Sequence, residues 1–267
     1  MPARLDGVLA VLRRDAAIYF SYRARMVSQA IIALFSLTLF FYLSRLVGVT
    51  RFRDPDDYFA YVTVGLIVLH ILTATLALVP NNIRTELVAG TFERLVVSPL
   101  GPTMGVVAMT LFPTLAALAT GLLTLGFALV LFGLPLAGAQ ALLAIPAIIL
   151  AVGAFLPFAL LVSALVLLSK QAGNLGNLVV VGLSLAGGVY YPPDLMPPWI
   201  RWVTEVQPFT PALELLRHLL IGTETQQAPA WDALRLAAFA VVATPIGYWA
   251  LRRAVGVCRR RGTLVEY

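Results

Sequence analysis

The feature that most constrains this chain is the length of its apolar runs. Six stretches, at about residues 26–47, 58–79, 104–132, 141–168, 175–191 and 233–251, carry almost no charge. A helix rises about 1.5 Å per residue, so runs of this kind reach across a hydrocarbon core of ~30 Å. Lipid offers no partner for an open backbone polar group, which makes the helix the expected spanning element. A membrane barrel would show roughly ten-residue alternating segments instead, and none is present. With 60% hydrophobic and 12% charged residues, against about 25% charged in an ordinary soluble domain, no single aqueous core would hide these side chains. The expectation is an all-α, polytopic membrane protein with six transmembrane helices in a domain over 26–251.

The charges orient that domain. The formal net charge is +6, but the basic residues form short clusters at the ends of apolar runs, which is a topology signal and gives no reason to invoke nucleic acid. Under six spans, thirteen fall on one side: five in residues 1–25, then Arg84, Arg94 and Lys170, then five in a basic tail over 252–267. The other side receives six: Arg45, Arg51, Arg53, Arg201, Arg217 and Arg235. This excess predicts a multi-pass protein of the cell membrane with both termini cytoplasmic. Residues 1–25 also lack the pattern of a cleaved signal peptide, and Cys258, the only cysteine, permits no intrachain disulfide.

Within residues 1–25, Leu5, Val8, Leu9, Leu12, Ala16, Tyr19 and Phe20 recur at three- and four-residue spacing, with Arg13, Arg14 and Asp15 largely off the stripe. That predicts an amphipathic helix at the membrane interface. Pro113, Pro146, Pro157 and Pro245 punctuate the spans and are expected to kink them. The fifth run is short and glycine-rich, through Gly182, Gly187 and Gly188, which suits a packed interior helix.

Two connections are too long to be simple turns. Residues 82–98 place Ile83, Leu87 and Val88 on one helical side, then Gly90 as a left-handed stop and Thr91 as a fresh N-cap. Phe92, Leu95 and Val96 follow until Ser98-Pro99 ends the helix. This reads as an amphipathic elbow that either rests on headgroups or docks a partner. Residues 190–231 carry Pro197-Pro198 before a helix with Trp199 and Trp202, then a second apolar helix through Leu213, Leu216, Leu219 and Leu220. Two short helices dipping into the outer leaflet, a re-entrant hairpin before the last span, fit that composition. Glu214, Arg217 and His218 are spaced to pair with one another, and Arg235 to snorkel outward.

The pattern Glu86, Gly90-Thr91, Glu93, Leu95 and Ser98-Pro99 resembles the E…GT.E.L..SP signature of type-2 ABC-transporter permeases. Trp199, Trp202, Gln207-Pro208-Phe209-Thr210, Glu214 and Arg217 likewise resemble that family's segment before the last span, with Gln-Pro-Phe-Thr for the usual Asn-Pro-Leu-Thr. The resemblance implies a coupling segment made of Arg84, Glu86, Gly90, Thr91, Phe92, Glu93, Arg94 and Leu95 that meets a cytoplasmic ATPase subunit in two copies. It implies a second permease, identical or not, in contact with membrane lipids. It also implies a path facing the second and fifth spans, where His70, Thr73, Asn174 and Asn177 are the polar candidates.

Chemistry within the chain is sparse. A Walker A loop needs a lysine after glycine to hold ATP phosphates, and the only lysine, Lys170, stands between Ser169 and Gln171. ATP and magnesium are therefore expected in the partner ATPase, with no cofactor and no metal bound by this chain. His70 and His218, the only histidines, form no zinc motif; His70 is either on the path or a hydrogen-bonded structural residue. A permease moving a drug, lipid or glycolipid is the leading expectation, with polysaccharide export as the alternative. An intramembrane enzyme would need a convergent catalytic set, and an ion-coupled carrier a buried acid within a span; the sequence offers neither.

Overall fold

The computed structural model describes residues 2–46, 52, 54–169, 175–224 and 227–261, and among these all regular structure is helical. Helix α1 (Pro2–Ser21) leads through Tyr22 into α2 (Arg23–Leu46). Helix α3 (Pro55–Thr73) runs on through a π-turn (Ala74–Leu78) into α4 (Val79–Val88). A short α5 (Phe92–Val97) precedes the long α6 (Gly101–Phe132). A 3₁₀ turn (Gly138–Leu143) opens α7 (Ala144–Leu168), and α8 (Leu175–Ala186), α9 (Pro198–Val206), α10 (Phe209–Ile221) and α11 (Pro229–Arg261) complete the chain.

Among the described residues five helices are long and apolar enough to cross a membrane: Arg23–Leu46, Pro55–Val88, Gly101–Phe132, Gly138–Leu168 and Pro229–Arg260. The fifth apolar run of the sequence differs, because the described helix α8 has 12 residues, about 18 Å at 1.5 Å per residue. The second span also differs from the sequence reading. The first half of the expected elbow is the end of a continuous 34-residue helix. Pro80 lacks an N–H and its ring would clash with the carbonyl of Leu76, four residues back. The π-turn resolves this, with the Val79 N–H reaching Ala74 O, five residues back.

The bundle has two distinguishable ends. At one end Val79, Ile83, Leu87, Phe92, Leu95, Leu167, Val255 and Cys258 share a buried cluster, and the Cys258 thiol donates to Leu167 O at 3.2 Å. At the other, Arg45 pairs with Asp56 at 2.6 Å, Phe59 packs on Phe132, and the Ala137 N–H reaches Leu220 O at 2.8 Å. Close backbone approaches fix the crossings between. A Cβ on Gly247 would lie 2.9 Å from Pro157 O, which is why α11 can pack closely along α7.

The stripe of α1 is divided. Val8, Leu12, Ala16 and Tyr19 are partly covered by the protein, whereas Leu5, Leu9 and Phe20 remain exposed. Arg14 and Asp15 are not on the open face as their spacing suggested. They are partly buried, for a reason that involves the coupling segment.

Candidate functional site

Helix α4 ends in a Schellman motif. The Thr91 N–H reaches Glu86 O at 3.0 Å, the Gly90 N–H reaches Leu87 O at 3.1 Å, and Gly90 takes φ of 68°, a conformation glycine alone adopts without a Cβ penalty. Thr91 does not cap α5. Its hydroxyl turns back and donates to the Glu86 carboxylate. The other carboxylate oxygen of Glu86 meets Arg14 at 3.1 Å, and Arg14 also holds Asp15 at 2.8 Å. Burial pushes the Asp15 carboxyl up, against the opposing pull of Arg14. Glu86 therefore ties α1, α4 and the Gly90-Thr91 turn together.

Apolar side chains hold the segment from beneath. Ile83, Leu87, Phe92 and Leu95 are all buried, and Leu95 lies over Gly105, where a Cβ would come within 1.5 Å of Leu95 Cδ2. Burying each such side chain is worth about 1.5–3 kcal/mol. Ser98, extended ahead of Pro99, closes α5 through a hydroxyl bond to Leu95 O at 2.8 Å. Phe92 and Leu95 thus anchor the segment, and the surface it leaves outward includes Arg84, Val88, Ala89, Gly90, Arg94 and Val97. Val88 and Val97 are 63% and 84% exposed, a combination of apolar and cationic groups suited to a protein partner. The side chain of Glu93 lies outside what the structure describes, as do Lys170 and Asn174.

At the opposite end, α10 carries a buried arginine. Arg217 donates from Nε to Tyr61 O at 3.1 Å and from one terminal nitrogen to Gly188 O at 2.9 Å and Val189 O at 3.1 Å. Its guanidinium carbon lies 3.4 Å from the centre of the Tyr61 ring, whose hydroxyl also donates to Gly188 O. Gly65 makes room, since a Cβ there would stand 2.6 Å from Val189 O. The expected mutual pairing of Glu214, Arg217 and His218 is therefore replaced. Arg217 serves carbonyls of the Gly188–Val189 turn after α8, and His218 Nδ1 lies 3.0 Å from Thr223 O. A planar fork can satisfy several carbonyls at once, which three side chains on one helix face cannot arrange among themselves.

Glu214 lines a cavity of about 480 Å³ together with Arg217, Asp56, Asp57 and Asp194. Its pKa is raised to about 7, first by burial and then by Asp232, with Arg217 and Arg235 opposing. Arg235 does not reach freely outward; it donates to Glu205 O in α9. Trp199 and Trp202 are 73% and 61% exposed on α9. Phe209 is fully buried against Phe155 and over Gly187, fixing the α9–α10 corner.

The three described path candidates, His70, Thr73 and Asn177, do not line one cavity within the chain. His70 and Thr73 line a cavity bounded by α1, α2, the π-turn and α6, and His70 Nε2 is 3.4 Å from the Thr124 hydroxyl. Asn177 lies exposed on α8 and does not line that cavity. Sequence reading missed Arg14, Tyr61 and Pro80. Pro80 fell between the apolar run ending at residue 79 and the elbow beginning at 82, where a proline reads as a break.

Among the described residues no group of three or more His, Cys, Asp or Glu side chains could hold a metal. Long apolar helices, with an anchored, outward-facing helical turn between two of them, define a multi-pass membrane protein. The model of the ABC-2 type transporter family matches residues 8–221, from within α1 to the last residue of α10. The chain belongs to that family and is an ABC-transporter permease, of a kind that partners with an ABC ATPase subunit. No curated protein matches the chain.

Proposed function

We propose that this permease is half of an ATP-driven exporter for a hydrophobic or amphipathic substrate, coupled to a separate ATPase through the α4–α5 turn. The observation that carries the reading is the exposed patch of Arg84, Val88, Ala89, Gly90, Arg94 and Val97 on a turn whose underside is locked by Glu86, Phe92 and Leu95. A rigid knob transmits a push from an ATPase to the spans; a loose loop would absorb it. ATP and magnesium belong to that partner, in two copies on a permease dimer.

The arrangement of the ends supports a reading with six crossings. The end of α7 (Leu167) and the late part of α11 (Cys258) lie together, so residues 169–228 make one net crossing, with α8 as its short helix. The α1 helix and the coupling turn meet at Arg14–Glu86, so the N-terminal interface helix shares the end that the basic residues mark as cytoplasmic. Helices α9 and α10 then form the external re-entrant hairpin, with Trp199 and Trp202 at the interface. The path runs between two permeases along the exposed face of α8, which carries Asn177 with Leu178, Val181 and Leu185, an apolar lining that favours drug, lipid or glycolipid cargo over a free glycan.

Co-purification tests the coupling. Val88→Asp and Val97→Asp are expected to reduce recovery of the ATPase subunit at least tenfold while leaving the melting temperature of the permease unchanged. Full ATPase recovery and ATP-dependent export by the double variant would refute the docking role.

A further inference from the structure

The cavity that holds His70 and Thr73 has a volume of about 340 Å³, and no residue of α8, whose exposed face is assigned to the path, lines it. Its length is set by the α3–α4 helix, from His70 to Asn82, which at 1.5 Å per residue is roughly 18 Å, about one leaflet of a hydrocarbon core. Ile32, Leu78, Phe112 and Ala117 make its walls apolar, and the small side chains of Ala74 and Ala116 leave the groove open.

Polar groups line the cavity at His70, Thr73 and Thr120 and again at Tyr19, Arg25, Gln29 and Asn82, and among these lining residues Arg25 is the one permanent cation. The Tyr19 hydroxyl donates to Gln29 Oε1 at 2.5 Å, and the Gln29 amide nitrogen makes no hydrogen bond among the described residues. Arg25 is exposed and forms no ion pair among the described residues. No acidic residue lines the cavity, and Asp15 and Glu86 at the coupling turn are both engaged by Arg14. An unpaired cation above an acyl-sized apolar groove is complementary to one class of molecule.

We infer that this cavity binds an anionic phospholipid of the leaflet on the coupling-turn side. Its phosphate would lie at Arg25, with the Gln29 amide and Asn82 as further donors, and one acyl chain would run along the groove toward His70. Basic pockets between helices on the cytoplasmic side are suited to anionic headgroups. The identity of the leaflet rests on the topology proposed above, whereas the selectivity for negative charge rests on Arg25 alone.

Delipidated full-length protein in neutral detergent, titrated with dioleoyl phosphatidylglycerol or dioleoyl phosphatidylcholine and read by native mass spectrometry and thermal unfolding, tests this. Phosphatidylglycerol is expected to bind at least tenfold more tightly than phosphatidylcholine and to raise the melting temperature. Arg25→Gln is expected to abolish that preference. Ala116→Leu, which fills the groove from a half-buried position, is expected to weaken both lipids. Equal binding of the two lipids, or a preference that survives Arg25→Gln, overturns the proposal. So does equally strong competition by soluble glycerol 3-phosphate, which would mark a phosphate site without a lipid. ATPase co-purification, run in parallel on the wild type, separates the two readings: lost ATPase binding with intact lipid selectivity defeats the coupling reading, and the converse defeats this one.

Discussion

Removing the Arg217 guanidinium should loosen the contact between α3, the turn after α8 and α10. In Arg217→Ala the buried carbonyls of Tyr61, Gly188 and Val189 each lose a donor, and Gly188 O alone keeps a side-chain one, the Tyr61 hydroxyl. An unsatisfied buried acceptor costs about 1–3 kcal/mol, and the lost contact with the Tyr61 ring adds about 1–2 kcal/mol. Part of this is offset because a charge no longer has to be desolvated. The net cost is about 3 kcal/mol. For a chain of this size each kcal/mol moves the melting temperature by about 2–4 °C, so a fall of roughly 6–12 °C is expected in detergent. Arg217→Lys should recover less than half of it, because an ammonium lacks the fork that spans two separate segments. Limited proteolysis gives a local readout: trypsin cleavage after Arg201 in α9 should accelerate, while cleavage after Arg45 should not. A melting temperature within 2 °C of wild type, with unchanged cleavage after Arg201, would refute the assignment of this arginine as the tie.

Three further outcomes are expected. The folded pKa of Glu214, about 7, lies above the unfolded value, so the folded state holds the proton more tightly. Stability is then greatest below about pH 4.5 and falls as pH rises to about 7; with solvent screening the loss is about 1–2 kcal/mol, and Glu214→Gln should flatten the melting temperature measured between pH 5 and pH 8. In Gly176→Ala the new Cβ would lie 2.1 Å from Leu76 O, a clash of side chain with a backbone carbonyl that should cost about 2–3 kcal/mol; Gly182→Ala, with nothing within 4 Å, should be neutral or stabilising in the same thermal assay. A double-mutant cycle of Arg14→Gln and Glu86→Gln should give a coupling of about 0.5–1 kcal/mol that weakens in high salt, since the pair is partly exposed.

Local features of the coupling segment were legible because their causes are local. Gly90 is where a left-handed residue ends α4, and Ser98-Pro99 is where the chain leaves α5, as spacing alone indicated. Thr91 and Glu86 were singled out by pattern, but their actual partners were not legible. The Thr91 hydroxyl could satisfy either its own helix or Glu86, and the choice depends on where Arg14 arrives from α1. The same holds for Arg217, whose spacing to Glu214 suggested a partner on its own helix. Its true acceptors lie 156, 29 and 28 residues away.

By itself the sequence determined that this protein is helical and multi-pass, because long uncharged runs in lipid must satisfy their backbone internally wherever their neighbours lie. It also determined where helices stop at glycine and proline, since these residues act through their own backbone geometry. Tertiary structure alone decided that α3 and α4 form one helix through a π-turn, with the Leu76 carbonyl against Gly176. It decided that Phe92 and Leu95 face inward and Val88 and Val97 outward, and that His70 and Asn177 belong to different surfaces. The physical reason is common to all of these. A hydrogen bond, an ion pair or a buried face needs a second group, and which group arrives is set by the packing of helices distant in sequence.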